Sequence, residues 1–150
     1  MKPLRRSAVL LLGAALLGAC ASNGQKAGDG NQVDPTVLRG EWYVSVLDGG
    51  PAVPQTPNPI SVVFEDEELS GVGKLRGFSG VNRFFGAYTA TPTGTLEVGA
   101  VGSTRMAGPP DLQAFETSFL KWLGHSQRFS VDAEGVTIVT SDGAMRLVRP

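Results

Sequence analysis

The chain has 150 residues and a formal net charge of −1, and this length predicts one compact domain. It contains one cysteine and one histidine, which argues against a zinc site. No P-loop, dinucleotide-binding or HExxH pattern occurs in it, so we expect no metal, no cofactor and no enzymatic activity.

Residues 1–19 have the pattern of a bacterial lipoprotein signal peptide. A basic segment with Lys2, Arg5 and Arg6 precedes an apolar run at 8–17, which is shorter than the roughly 20 residues that span a bilayer. The letters LGAC at 17–20 resemble a lipobox, in which the cysteine is acylated and becomes the new N-terminus. We therefore predict lipidation of Cys20 and membrane attachment through this anchor. The alternative is an ordinary signal peptide in which Cys20 is incidental.

Residues 20–36 are predicted to form the lipidated cysteine and a flexible tether, because they are mostly polar or glycine and have little to bury. Loss of residues 1–19 removes three of the 13 basic side chains. Ten basic and 14 acidic side chains remain, so the net charge becomes −4. This charge argues against nucleic acid as a partner. Cys20 is not followed by the aspartate common in inner-membrane lipoproteins, so we expect the protein on the outer membrane, facing the periplasm. We also expect a monomer.

The folded domain is expected over residues 37–150 and begins with strands. The stretch EWYVSVL at 41–47 alternates as a strand does, with Trp42, Val44 and Val46 on one face. Four prolines and two glycines make residues 48–59 a loop, and ISVVFE at 60–65 is a second strand. The acidic run 65–68 lacks calcium-loop spacing and is expected to be a solvated turn.

Further strands and one helix follow. A strand interrupted by glycines is predicted at 69–79, and a hairpin at 85–102 turns around Pro92, Thr93 and Gly94. Apolar residues recur at helical spacing in 109–124, with prolines at the start and Gly124 at the end. Three more strands are predicted at 127–132, 135–140 and 144–149. These elements predict a mainly β, α+β fold: a small curled antiparallel sheet or barrel with one helix packed on it.

The stretch GFSGVNRFFGAY at 77–88 contains candidate binding residues, since Asn82 and Arg83 could line a groove for a partner or an anion. We favour a structural role, in which Asn82 bonds its own turn or adopts left-handed backbone. Phe84, Phe85 and Tyr88 are expected in core or cross-strand packing, and any that is exposed would mark a binding surface.

Two further groups lie around the helix. In the segment Thr104, Arg105 and Met106, the arginine is expected to pair with Glu116 at the helix start; alternatively it offers a carboxylate or phosphate site. His125 follows the helix, where a cation is favourable. No nucleophile-elbow pattern surrounds it, so we expect no catalytic triad there.

Several of these segments together resemble a known family. They are GEW at 40–42, SGVNRFFGAY at 79–88, STRMAG at 103–108, and Glu116 with Phe119 and Leu120. In this order and spacing they resemble the META, or HslJ-like, domain over about 38–148. The resemblance implies a β-rich, barrel-like domain with no established catalytic activity. It also implies an association with heat shock, envelope stress and tolerance of novobiocin.

The chain departs from the family pattern at two positions. The family commonly has cysteine where this chain has Val81 and Gly108. If those family cysteines pair, their joint loss here removes one cross-link and leaves no orphan thiol. The core must then stabilise the fold without the roughly 3–4 kcal/mol that such a cross-link supplies.

Two functions are compatible with these features. The first is a non-enzymatic, stress-associated lipoprotein of the envelope that binds a partner protein or stabilises envelope components. The alternative is a carrier that holds a small apolar ligand inside the barrel. The carrier requires a continuous cavity lined by large side chains: Trp42, Phe64, Phe85, Phe119 and Trp122.

Overall fold

The computed structural model describes residues 32–66 and 68–150. The signal peptide, the lipidation site Cys20 and the tether up to residue 31 lie outside the described residues, so the predictions for them stay predictions. Within the described ranges, no helix is both long enough and apolar enough to cross a bilayer.

The described part of the chain consists of strands, one α-helix and a short 3-10 helix at Pro35–Leu38. The elements are β1 (Gly40–Asp48), β2 (Ser61–Glu65), β3 (Val72–Phe78), β4 (Arg83–Ala90), β5 (Leu96–Val98), β6 (Gly102–Ser103), α1 (Pro110–Gly124), β7 (Ser126–Asp132), β8 (Gly135–Thr140) and β9 (Ala144–Val148). The predicted strands, the hairpin and the helix are all confirmed, with boundaries that differ by one to a few residues.

The strands form one antiparallel sheet in the order β5-β4-β3-β2-β1-β9-β8-β7, and the short β6 also pairs with β4. The sheet curls until its two edge strands meet. Thr95 bridges Arg128, and the amide of Phe129 donates to the carbonyl of Gly94 over 2.8 Å. The prediction of a barrel-like α+β fold is therefore confirmed.

The barrel has two distinct ends. At one, the incoming chain lies against the β4–β5 turn, where the amide of Val33 donates to the carbonyl of Pro92 over 2.8 Å; we call this the tether end. At the other, the helix end, α1 covers the barrel. There the ring of Trp122 lies so close to Gly50 and Gly143 that a Cβ on either glycine would come within 2.7 Å of it.

The interior of the barrel is packed with large side chains. Trp42, Phe64, Phe119 and Trp122 belong to one buried cluster, and the ring of Phe119 meets that of Phe84 edge-on at 5.7 Å. Phe85 points outward and is 61% exposed, so its expected place in the core and in a ligand cavity is wrong. Four of the five proposed cavity residues are therefore packed in the core, and this arrangement does not favour the carrier.

The predicted faces of the first strand are correct only for its first half. Trp42 and Val44 are buried as expected, but Val46 is half-exposed and Leu47 is buried in its place. A β-bulge between Val44 and Val46, where β1 pairs with β9, shifts the alternation by one residue. Alternation of residue types alone did not reveal this bulge.

The acidic turn is also more ordered than expected. Asp66 is buried, and its carboxylate accepts hydrogen bonds from the amides of Ser70 and Gly71, over 3.0 and 2.5 Å. The bonds hold a tight turn in which Leu69 adopts a φ of 54°, a left-handed conformation that is uncommon for leucine. For Asp66, the prediction of a solvated side chain is wrong.

Candidate functional site

The turn between β3 and β4 is fastened to the helix by a buried carboxylate. Oε2 of Glu116 accepts a hydrogen bond from the hydroxyl of Ser79 over 2.5 Å and from the amide of Asn82 over 2.8 Å. Oε1 of Glu116 accepts another from the side-chain amide of Asn82 over 2.8 Å. Because all three polar groups are buried, these bonds fix the turn on the first half of α1.

The side chain of Asn82 extends the same network to a third segment. Its Oδ1 accepts hydrogen bonds from the hydroxyl of Thr104 over 2.8 Å and from the amide of Met106 over 2.7 Å. Ser79, Asn82, Thr104, Met106 and Glu116 thus form one cluster, which we call the Asn82 hub. The hub joins the β3–β4 turn, the segment before the helix and the helix itself.

Two expectations about this region need correction. Glu116 does not pair with Arg105, because its oxygens are occupied by Ser79 and Asn82 while Arg105 lies exposed on the surface. Asn82 does not adopt left-handed backbone either: in this turn the positive φ belongs to Gly80, at 109°. Glycine takes that conformation without strain, which leaves the side chain of Asn82 free to reach inward.

A groove of about 480 Å³ opens on the outer face of the sheet beside the hub. Its apolar walls include Tyr43, Phe78 and Met106, and its charged groups are Glu41 and Arg83. Cross-strand pairing brings these side chains together, because Tyr43 faces Ser61, Ser61 faces Phe78, and Phe78 faces Arg83. The hub therefore lies behind a surface that combines aromatic rings with an accessible cation.

Phe85 extends this outer face beyond the groove. It lies two residues after Arg83 on β4, so both side chains point to the same side, about 7 Å apart along the strand. Its ring lies directly over Gly102, where an added Cβ would come within 2.9 Å of two ring atoms. Because Gly102 has no side chain, the exposed ring of Phe85 can pack against its backbone.

Tyr88, the remaining candidate on β4, lies away from the groove. It is buried near the tether end and meets the ring of Phe64 edge-on at 4.9 Å. Within the described ranges, its hydroxyl is the one buried side-chain polar atom without a hydrogen-bond partner. Burial, with a smaller contribution from the charge of Asp66, raises the pKa of Tyr88 to about 12. Tyr88 is thus a core residue of this fold.

His125 lies beyond the helix in a cluster of exposed polar groups. Its Nδ1 is 2.6 Å from Oδ2 of Asp142 and 3.1 Å from the hydroxyl of Ser141. Hydrogen bonds from Lys121 and then His125 lower the pKa of Asp142 to about 2. A catalytic triad needs the serine and the acid on opposite ring nitrogens, whereas both approach Nδ1 here. In the described part of the chain, no three His, Cys, Asp or Glu side chains converge to hold a metal ion.

Val81 and Gly108, the positions where the family commonly has cysteines, face each other across the hub. A Cβ built on Gly108 would lie 3.3 Å from Cβ of Val81 and within 2.7 Å of its two methyl groups. The methyl groups of Val81 thus occupy the space that a side chain at 108 would need. This proximity fits the expectation that the two family cysteines pair.

Sequence reasoning missed several residues of this surface. Tyr43 had no assigned role in binding, although cross-strand pairing through Ser61 places it in one row with Phe78. Ser79 was part of a quoted motif but was given no contact. The pattern indicated the outward direction of Phe85 as well, since it alternates with the buried Phe84.

Comparison with known proteins supports the fold and shows the family. An NMR structure of a protein from Burkholderia xenovorans is 29% identical and matches with a TM-score of 0.62, covering 77% of this chain and 86% of that one. A second NMR structure is 22% identical with a TM-score of 0.59, covering 77% and 94%. No curated protein matches the chain. Residues 35–149 match the META domain, and the chain therefore belongs to the META domain family.

Proposed function

We propose that this protein is a stress-associated lipoprotein of the outer membrane that acts in the periplasm by binding a partner protein, without catalysing a reaction. The single observation that carries the proposal is the position of Phe85. Phe85 is 61% exposed on the same outer face as the groove walled by Tyr43, Phe78 and Met106, and a continuous exposed apolar surface of this kind marks a binding site.

The surroundings of Phe85 support a protein as the covering surface. Phe85 pairs with Arg76 on β3, and the next outward residue on β4 is Arg83. Aromatic residues and arginine are enriched among the side chains that dominate protein–protein binding. Since the ring already rests on Gly102, it loses little conformational freedom when a partner covers it.

The proposed location rests on the N-terminal sequence. Between an acylated Cys20 and Gln32 the chain has twelve steps, which reach at most about 40 Å when extended. This length would let the domain move near the membrane surface without leaving it. A Cys20→Ser variant tests the anchor, because it lacks the thiol that is acylated. Mass spectrometry of the membrane-extracted protein should show the acyl mass on the wild type and not on the variant; a wild type without the acyl mass would contradict lipid anchoring.

The binding function is tested with Phe85→Ala. The matched control is Val131→Ala, which removes an apolar side chain from another partly exposed position, near the tether end of β7. Both variants should keep the melting temperature within about 2 °C, because neither side chain is buried. In producing cells, Phe85→Ala should lose photo-crosslinks formed from a probe at position 87, an exposed outward position two residues further along β4, while the control keeps them.

The same pair of variants tests the stress association. A strain that lacks the protein should grow less well after heat shock or with novobiocin, and the wild type and Val131→Ala should restore growth. Phe85→Ala should not restore it. Full restoration by Phe85→Ala would contradict the proposal that this face performs the function.

A further inference from the structure

We infer that the groove beside the Asn82 hub binds an extended segment of the partner protein in which an apolar side chain lies close to a carboxylate. The inference rests on the proposed partner-binding function and specifies the chemistry of the partner. The apolar side chain would lie against Tyr43, Phe78 and Met106, and Arg83 would bind the carboxylate.

The distribution of ion pairs supports a carboxylate. Three cations of the domain have acidic partners: Arg76 pairs with Glu65, Lys121 with Asp142, and Arg146 with Asp132. Within residues 32–66 and 68–150, Arg39, Lys74, Arg128 and Arg149 also have no acidic partner, but they do not line the groove. In the same ranges, no acidic side chain pairs with Arg83, which lines the groove, or with Arg105 in the adjacent segment.

These two arginines are held near each other by the hub. Arg83 directly follows Asn82, and Arg105 lies between Thr104 and Met106, which both bond Oδ1 of Asn82. Arg83 lines the groove and Arg105 is exposed on the adjacent segment, so both guanidinium groups are accessible. A carboxylate matches the planar donors of arginine in a bidentate geometry.

The apolar walls of the groove favour a protein segment over other anions. A phosphate polymer would need a row of cations, but the groove has one arginine and also presents Glu41. Tyr43, Phe78 and Met106 offer rings and a flexible thioether, which suit an apolar side chain. Met106 is 64% exposed and so is available for contact.

The position of the groove argues against the anchoring membrane as its ligand. Val72 pairs with Thr89 near the tether end, whereas Phe78 pairs with Arg83 near the helix end. Val72 and Phe78 are six residue steps apart along β3, which corresponds to about 20 Å. The groove is therefore near the end that lies away from the incoming chain, where a separate protein can reach it.

The inference is tested by selecting phage-displayed random heptapeptides on the soluble domain that starts at Ala21. Selected peptides should contain Asp or Glu within three residues of an aromatic or aliphatic residue. Peptides synthesised from this set should shift the NMR signals of Phe78, Arg83 and Met106 rather than those of the tether end. Basic or purely apolar peptides, or no selected peptides, would overturn the inference.

Charge reversal identifies the residue that binds the carboxylate. Arg83→Glu should weaken binding of a selected acidic peptide at least tenfold, and Arg105→Glu should weaken it less. Lys74→Glu is the matched control, because it makes the same charge change at an exposed position on β3, and it should alter affinity less than twofold. Equal losses for Arg83→Glu and Lys74→Glu would show a general charge effect and overturn the assignment.

Two measurements on the wild type test whether a second copy of the chain or a lipid surface occupies the groove instead. Sedimentation should show a monomer, and vesicles of phosphatidylethanolamine and phosphatidylglycerol should not displace the peptide. A dimer broken by Arg83→Glu, or displacement by vesicles, would assign the groove to a second copy or to lipid instead. If Phe85→Ala abolishes crosslinks in cells but no acidic peptide binds, the groove assignment fails while the proposed function stands.

Discussion

A disulfide introduced at positions 81 and 108 should stabilise this domain. The Cβ atoms of the two positions would be 3.3 Å apart, slightly below the usual separation of about 3.5–4.5 Å in disulfides. Replacing Val81 removes the methyl groups that would collide with a side chain at 108. A shift of a few tenths of an ångström in the exposed segment before the helix then allows the bond to form.

The expected gain follows from the length of the closed loop. Residues 81–108 make a loop of 28 residues. Chain entropy in the unfolded state gives about 3.5 kcal/mol for a loop of this length. For a domain of this size, that gain corresponds to an increase of roughly 10–15 °C in the melting temperature.

The measurement compares Val81→Cys/Gly108→Cys with and without reductant, in the form that starts at Ala21. Cys20 is the only cysteine of the chain, so this form has no competing thiol. Gly108→Cys alone should be less stable than the wild type, because its Cβ meets the methyl groups of Val81. If the oxidised double variant forms but is no more stable than its reduced form, the geometry inferred for this pair is wrong.

Three further predictions concern stability. Tyr88→Phe should raise the free energy of unfolding by about 1 kcal/mol in urea denaturation, since the buried hydroxyl has no protein partner. Tyr88→Phe should also reduce the loss of stability between pH about 10 and 12, because in that range Tyr88 of the wild type ionises in the unfolded state and not in the folded state. A variant that is less stable than the wild type would contradict the prediction. Asn82→Ala should cost about 2–4 kcal/mol because the hydroxyl of Thr104, the amide of Met106 and Oε1 of Glu116 lose their bonds to the Asn82 side chain, whereas the exposed control Asn58→Ala should cost under about 0.5 kcal/mol. Hydrogen bonds from Arg146 lower the pKa of Asp132 to about 2, so the wild type should lose stability as the pH falls from about 4 to 2, and Asp132→Asn should lose less in that interval; equal slopes would refute it.

Most of the fold could be predicted because its local signals agree with its tertiary contacts. The apolar stripe of α1, the prolines at its start and the glycines of the turns each indicate one structure. The faces of β1 could not be predicted fully, because the bulge after Val44 arises from its pairing with β9, about a hundred residues later. Such a register shift depends on the partner strand and leaves no pattern in β1 itself.

The candidate site was less predictable, because its polar partners depend on distances across the fold. Arg105 and Glu116 have opposite charges and lie eleven residues apart, so an ion pair was a reasonable expectation. In the structure a neutral partner, Asn82, takes that place, because it offers both a donor and an acceptor inside a buried space. An arginine there would have to lose its water, and exposure of Arg105 avoids that cost.

The Asn82 hub also explains how one surface can be both well ordered and exposed. Asn82 and Glu116 are buried and hold the turn, whereas the adjacent Arg83 is exposed and bonds Thr104 through its backbone alone. A change at Asn82 should therefore reduce stability and binding together, because it frees the segment that carries Met106. A change at Arg83 should affect binding alone. Variants at these two neighbouring residues thus separate the folding role of this motif from the recognition role we propose for it, which binding measurements on Asn82 alone could not do.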